Sequence, residues 1–401
     1  MTLTSPSKRT YEVGRSLSTD YFGLKDELSP MDLELLLRAR AFVDDEVLPV
    51  IGDYWERADF PHHLARRMGE LGLVGDGIEG YGCPPMSPMA SGLINMEINR
   101  GDGSLGTFPG VQSGLAMKSI DLLGSPEHKQ RWLPGLATCE LFGAFALTEP
   151  LHGSDSVALE TTAHRDGSGY VLNGQKRWIG NRTNADVVVV WARDTEGGQV
   201  KASSSKAEPR VTTPDGWTGR SRCGPSAGRH HPDRHQGAGQ RHAPRRAHLQ
   251  GHRPRPRLDE ELGRLGALGH ATAAYEVALA YSTQRMQFGK PLAAFQLVQD
   301  KLVRMLAEVT AMQLYCIRLA RLSEAGKLTD VISSLAKVNN TRKARERILE
   351  ARELLGGNGI LLEYHVVRHM ADIEAIYTYE GTADIQELIV GREITGVSAF
   401  A

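Results

Sequence analysis

Three regimes of hydrophobic spacing follow one another along the 401-residue chain. From Ser29 to about Leu136 apolar residues recur three or four positions apart, as in Leu33, Leu36, Leu37, Ala41, Val47 and Leu48, and predict helices. Ser29-Pro30-Met31-Asp32 reads as a helix start: a hydroxyl cap, proline in the first turn, and an acid near the positive helix end. The signal returns at Ser87-Pro88 and Ser125-Pro126-Glu127, and Gly72 and Gly101 are expected stops. From Phe142 the period changes. Phe145-Ala146-Leu147 and Asp186–Ala192 read as buried strands. Asp166-Gly167-Ser168-Gly169 and Asn173-Gly174 read as turns around runs such as Tyr170-Val171-Leu172. From Ala267 the spacing is helical again, with helices over Ala271–Gln284, Gln296–Ala325 and Thr329–Leu355. The second carries an apolar stripe of Leu297, Leu302, Met305, Leu306, Val309, Met312 and Leu314, and Gly356-Gly357-Asn358-Gly359 ends the third. Long helices with short joints predict a bundle. The fold class is thus α+β: a helical N-terminal domain (1–140), a middle β-domain (141–266) and a C-terminal helical domain (267–401).

Composition changes this picture in one place. Hydrophobic residues make up 41% and charged residues 24%, and 47 Lys plus Arg balance 48 Asp plus Glu. Between Ala202 and Arg257, however, 11 Arg and one Lys face three acids, so the rest of the chain carries −10 of the overall −1. The same stretch holds six His and seven Pro, a single Leu, and no Ile, Phe, Tyr or Met. It lacks the apolar surface to offset chain entropy, and no dense packing is expected there. Gly, Ala, Arg, Pro and His runs are also what a GC-rich gene yields when read out of frame. That reading takes 202–266 as aberrant; a nucleic-acid arm is the other one.

Cys83, Cys139, Cys223 and Cys316 lie far apart, without disulfide-framework spacing, which favours a reduced, cytoplasmic setting. Met1–Asp20 is polar, without the apolar core of a signal peptide. No run approaches the roughly 20 apolar residues of a membrane span.

Five segments could carry chemistry. Phe145-Ala146-Leu147-Thr148-Glu149-Pro150, running into Gly153-Ser154-Asp155, is a strand exit exposing hydroxyls and N–H groups to a phosphate or a polar ring edge. Lys176-Arg177-Trp178-Ile179-Gly180-Asn181 ends a strand with an aromatic suited to covering a flat ring. Arg285-Met286-Gln287-Phe288-Gly289-Lys290-Pro291 breaks between helices with two cations suited to pyrophosphate. Gly356-Gly357-Asn358-Gly359 lets backbone approach a ligand closely. Tyr377-Thr378-Tyr379-Glu380-Gly381-Thr382 sets one carboxylate among aromatics and a glycine. Each has a plainer reading as well: a core tryptophan, a helix stop, or a carboxylate capping the helix that opens at Thr382-Ala383-Asp384.

In this order and at these spacings, the five segments resemble the acyl-CoA dehydrogenase family over about 12–201 and 267–401. The resemblance implies helical, β and four-helix-bundle domains, a homotetramer, FAD, an acyl-CoA substrate, an electron-transferring flavoprotein as acceptor, and a place in fatty acid β-oxidation. No metal is implied. Leu147, Thr148 and Ser154 match the loop meeting flavin and phosphates, and Trp178 and Ile179 the wall beside the flavin. Arg285, Phe288 and Gln296 match positions meeting the ADP part of FAD, typically from a neighbouring subunit. Gly356, Gly357 and Asn358 match the second ADP-binding stretch, and Thr382 and Asp384 follow on the next loop. Ser154 and Gly381 fall on the substrate side.

Glu380 matches the catalytic base of the subfamilies that place it in Tyr-Glu-Gly-Thr. An α-proton of a thioester is weakly acidic, so the developing enolate oxygen needs donors. The resemblance supplies them as the Glu380 N–H and a ribityl hydroxyl of FAD. Desolvation among Tyr377 and Tyr379 is expected to raise the affinity of Glu380 for the proton. Flavin accepts hydride from the β-carbon, and the product is a trans-2-enoyl-CoA. Relatives with another base carry it on the helix around Ala271. Within the family the motifs look most like the glutaryl-CoA dehydrogenases and the plant short-chain acyl-CoA oxidases. Glutaryl-CoA dehydrogenases place an arginine where this chain has Gly106, so a short-chain monocarboxylic acyl-CoA is expected. Acyl-CoA oxidase activity, or an impaired product of a frameshifted gene, is the alternative.

Overall fold

The computed structural model describes residues 19–20, 22–166, 169–206 and 259–399. The serine–proline starts form as expected. Ser29 caps α1 (Pro30–Phe42), its Oγ accepting from the Asp32 N–H at 3.1 Å. A π-helical stretch, Val43–Val47, leads into α2 (Leu48–Arg57), where Pro49 has no N–H to continue the ladder. Then come α3 (His62–Glu70), with Gly72 beyond its end at φ 66°, and α4 (Pro88–Gly101), capped by Ser87. Asp102 caps α5 (Gly103–Pro109) by accepting from the Ser104 and Leu105 N–H groups. Lys118–Leu123 (α6) and Ser125-capped Pro126–Ala137 (α7) complete the N-terminal helices.

The sheet contains β1 (Gly143–Ala146), β2 (Thr162–Asp166), β3 (Gly169–Asn173), β4 (Val187–Asp194) and β5 (Val200–Lys206). β4 is its axis. β1 and then β2 pair parallel along one edge, β3 hairpins onto β2, and β5 runs antiparallel along the other edge from Val187↔Lys206 to Arg193↔Val200. Beyond the sheet lie α8 (Asp259–Gln284), α9 (Gln296–Glu324), α10 (Asp330–Leu354), α11 (Val366–Thr378) and α12 (Ala383–Thr395). Among the described residues no helix is long and apolar enough to cross a membrane.

Two cores result. One joins Phe42, Leu105, Phe108 and Trp132 of the helices to Val187, Val189 and Trp191 of β4 and Ala202 of β5. The other fills the bundle with Met305, Val309, Met312, Ile348 and Ile373, and takes in Leu36 and Met96 from the N-terminal helices.

Four expectations need correction. Ala202 is buried and β5 pairs fully with β4, so the unpacked stretch does not begin at Ala202. α8 begins at Asp259, not Ala271, so 259–266 is helical; residues 207–258 lie outside the described residues. Asn173-Gly174 makes no second hairpin: β3 ends at Asn173, Gly174 at φ 155° lies against Thr161 where no side chain would fit, and Lys176–Ile179 is not strand. On α9 Leu297 and Leu314 face outward, leaving Leu302, Met305, Val309 and Met312 in the core.

α11 is tied to the N-terminal helices through buried charge. Arg368 Nη1 meets Asp102 Oδ2 at 3.0 Å, and Asp372 Oδ2 accepts from the Gly103 N–H at 3.2 Å. Burial and the neighbouring Asp102 raise the Asp372 carboxyl well above the usual range, against the opposing pull of Arg368. The folded chain therefore keeps a proton that the unfolded chain releases, and stability falls as pH rises from the ordinary carboxylate value toward the raised one. Asp372→Asn should flatten that fall, gaining at least about 1.4 kcal/mol between pH 5 and pH 8, the equivalent of one pKa unit. Denaturant unfolding of both proteins at the two pH values checks this; an unchanged difference would remove Asp372 as its source.

Candidate active site

β1 ends at Ala146, and Leu147 and Thr148 continue from it. Their carbonyls are held from one segment: Lys176 Nζ donates to Leu147 O at 2.9 Å, and the Arg177 N–H donates to Thr148 O at 2.9 Å. Lys176 also meets Glu149 at 2.8 Å, and Glu149 accepts from the Glu160 and Thr161 N–H groups. Burial works against ionisation of Glu149, but these donors, Lys176 foremost, hold it down at about 2. The strand exit and the Trp178 segment are thereby latched together.

Trp178 stands at φ 58°, a left-handed conformation costly for a bulky residue, with its indole 49% exposed and the Arg177 guanidinium 4.6 Å from the ring centre. Ile179 packs inward with Ala144, Ala146 and Val188, while Asn181 donates to Gly143 O at 3.3 Å. A large aromatic face beside polar backbone is thus presented outward. Ser154 lies on the exposed loop beyond, next to the exposed Leu151 and Val157.

Glu380 sits immediately after α11, also left-handed at φ 56°, and Gly381 follows at φ 88°. Tyr379 turns toward α5, its hydroxyl 3.5 Å from Thr107 Oγ1; burial and the adjacent Glu380 charge push the Tyr379 phenol up. Phe108, next to Thr107, packs edge-on against Phe142 at the root of β1, so α5 bridges the Glu380 turn and the sheet. Thr382 caps α12 by accepting from the Ile385 N–H, so the cap is Thr382 and not the Glu380 carboxylate; Asp384 is exposed in the first turn. At Gly106 a Cβ would stand 2.2 Å from the Asn99 amide, leaving no room for a side chain.

The remaining expected residues gather elsewhere. Arg285 follows α8, and exposed Phe288 tips a two-residue hairpin (Met286–Gln287 with Lys290–Pro291) at φ 51°. Gln296 opens α9, and Asn358 Nδ2 donates to Tyr281 Oη at 3.0 Å, seating Gly356-Gly357-Asn358 beside the end of α8. Gly356 and Gly357 meet nothing at their Cβ positions, leaving open backbone. The 18 residues of α10 from Lys337, which touches the Glu380 turn, to Leu354, two positions before Gly356, rise about 26 Å. The chain therefore brings Leu147, Thr148, Trp178 and Ile179 together, and Arg285, Phe288, Gln296 and Gly356–Asn358 together, but as separate groups.

Lys176, Glu149, Asn99, Lys337 and Gln386 had no assigned role in the sequence. A lone cation near the small residues Ser333, Ser334 and Ala336 was the one signal for Lys337, since small neighbours mark a closely packed helix face.

Three family descriptions match the chain: Acyl-CoA dehydrogenase, N-terminal domain (30–140), middle domain (144–214) and C-terminal domain (262–395). The bovine mitochondrial short-chain specific acyl-CoA dehydrogenase is 31% identical, covering 95% of this chain and 93% of that protein. The glutaryl-CoA dehydrogenase of Desulfococcus multivorans is 30% identical over 94% and 98%. Among solved structures, glutaryl-CoA dehydrogenase from Mycobacterium smegmatis in complex with FADH2 superimposes with a TM-score of 0.84 at 34% identity, covering 95% and 98%. With matches to all three domains and this coverage, the chain belongs to the acyl-CoA dehydrogenase family, oxidoreductases acting on the CH–CH bond of acyl-CoA thioesters.

Proposed function

We propose that the chain uses FAD to convert a short-chain monocarboxylic acyl-CoA to the trans-2-enoyl-CoA, with Glu380 as the base. The observation that carries this reading is the Glu380 turn: a carboxylate on backbone held in a strained conformation, beside Tyr379 and the start of α5. The Glu380 carboxylate takes the α-proton, and its N–H is the donor from this chain for the thioester oxygen. Trp178, Ile179 and the latched Leu147-Thr148 exit fit a flavin, because a half-exposed aromatic face lies beside a strand exit whose backbone Lys176 and Arg177 hold in place. Ser154 and Gly381 lie on the substrate side. FAD, when bound, supplies the hydride acceptor for the β-carbon.

Arg285, Phe288, Gln296, Gly356, Gly357 and Asn358 serve the ADP part of FAD in a neighbouring subunit of a homotetramer, with Thr382 and Asp384 on the next loop. The spacing of about 26 Å along α10 supports this division.

The substrate class follows from α5. Asn99 fills the space a side chain at 106 would need, and Arg368, the nearby buried cation, is taken up by Asp102, Gly101 O and His365. A distal carboxylate would meet a desolvation cost of several kcal/mol. The specificity constant for butyryl- or hexanoyl-CoA should exceed that for glutaryl-CoA by on the order of 10²-fold or more. Anaerobic flavin bleaching by each thioester measures it, and a preference for glutaryl-CoA would overturn the monocarboxylic reading. No bleaching by any acyl-CoA would favour the impaired product. Mixing the reduced protein with air separates an electron-transferring flavoprotein as acceptor, with slow reoxidation, from oxidase activity, with rapid hydrogen peroxide release.

A further inference from the structure

Three consecutive carbonyls around the proposed base are each held by a side chain. Lys337, on α10 and 1% exposed, donates through Nζ to Tyr379 O and, at 2.8 Å, to Gly381 O. Gln386, on α12 and also 1% exposed, donates to Glu380 O at 3.0 Å. Between them the backbone takes two successive positive φ values, 56° at Glu380 and 88° at Gly381. A glutamate adopts that conformation at a cost, and it persists only where the surroundings over-determine it. Gly381 is part of the same device: a Cβ there would stand 2.5 Å from Gln386 Nε2, the atom holding the Glu380 carbonyl.

The ammonium is spent on backbone that carries the base. Burying a lysine is costly, and an isosteric apolar residue would serve the packing of α10 at least as well. Lys337 on the carbonyl of 379 and Gln386 on that of 380 fix the two peptide planes flanking Glu380, and Lys337 on the carbonyl of 381 holds the plane that follows. Together they fix the direction of the Glu380 N–H and the exit of its side chain. Near-attack geometry is sensitive to displacements of about 1 Å.

We infer that Lys337 is a positioning residue for Glu380, its ammonium clamping the carbonyls of Tyr379 and Gly381 so that the strained turn presents the carboxylate and N–H to the acyl thioester. This rests on Glu380 being the base.

The test compares holoenzymes carrying Lys337→Met, Lys337→Gln, Glu380→Gln, and Lys337→Met with Glu380→Gln, by anaerobic single-turnover flavin reduction with butyryl-CoA. FAD content and crotonyl-CoA binding are measured alongside. Lys337→Met should slow reduction by on the order of 10²-fold with FAD content and crotonyl-CoA affinity little changed. Lys337→Gln, which keeps one donor, should fall between it and the parent. Combined with Glu380→Gln, the lysine change should add clearly less than its full factor, because only the N–H it places is then left to act. Parental rates in Lys337→Met, or an effect that multiplies in full onto Glu380→Gln, would overturn the clamp while leaving the base in place. Parental rates in Glu380→Gln would instead overturn the base itself. If Lys337→Met does not retain FAD, Lys337→Gln and Gln386→Met, which frees the Glu380 carbonyl from the other side, carry the same comparison.

Discussion

Glu380→Gln is expected to leave FAD bound and to lower flavin reduction by an acyl-CoA by at least about 10²-fold, the lower end of general-base contributions. The amide keeps the shape of the carboxylate but cannot take a proton. Since Thr382 caps α12, the fold loses no cap and the melting temperature should hardly move. Had the carboxylate been the cap, the same change would cost about 1 kcal/mol of stability and spare the chemistry. Absorbance of the flavin during anaerobic mixing reads the first quantity and a thermal melt the second. Full-rate reduction would send the search for the base to α8 around Ala271.

The next largest effect is expected at Gly106. Gly106→Ala pushes a methyl into the Asn99 amide and should destabilise the protein by about 1–3 kcal/mol, the usual cost of overpacking. Gly106→Arg adds a buried charge to that clash and should not yield a stable holoenzyme. Removing the obstruction with Asn99→Ala should rescue both changes. In the Asn99→Ala, Gly106→Arg pair, the specificity ratio should move toward glutaryl-CoA by on the order of 10²-fold as a carboxylate partner appears. Denaturant midpoints and paired kcat/KM values measure these effects. A stable Gly106→Arg single variant would show that Asn99 yields.

These expectations draw on features of unequal legibility in the sequence. Ser29, Ser87 and Ser125 announce their helices because a cap is a bond across three residues, written where it acts. The Trp178 and Glu380 segments are legible as motifs because glycines and aromatics sit together within a few positions. β5 is not: after Val200 it runs Lys201-Ala202-Ser203-Ser204-Ser205-Lys206 without a further β-branched residue, and it is a strand because Val187–Arg193 offers it an edge. Asp259-Glu260-Glu261-Leu262 forms helix readily, yet it follows an Arg- and Pro-rich stretch whose composition masks the start of α8. Lys337 and Asn99 escape for a different reason. Lys337 acts across the fold, on carbonyls 42 and 44 residues away, and Asn99 acts across the joint between α4 and α5, whose angle the sequence does not state. No local pattern encodes such distances.

One cluster of charges makes the separately matched regions a single unit. Glu97, fully buried on α4, lies between Arg40 of α1 at 2.8 Å and Arg100 at 2.7 Å. Arg100 reaches Asp44 in the π-helical stretch and Glu276 on α8 at 3.6 Å, and Arg40 reaches Glu276 at 3.8 Å. Cutting the chain ahead of α8 would strip Glu276 of both arginines and leave Arg100 short of an anion, and separating such partners typically costs 3–5 kcal/mol. A fragment of 259–399 made alone should therefore aggregate or remain molten. Mixed with the complementary 1–206 fragment, it should recover order. In the intact chain the two helical regions should melt together in one calorimetric transition.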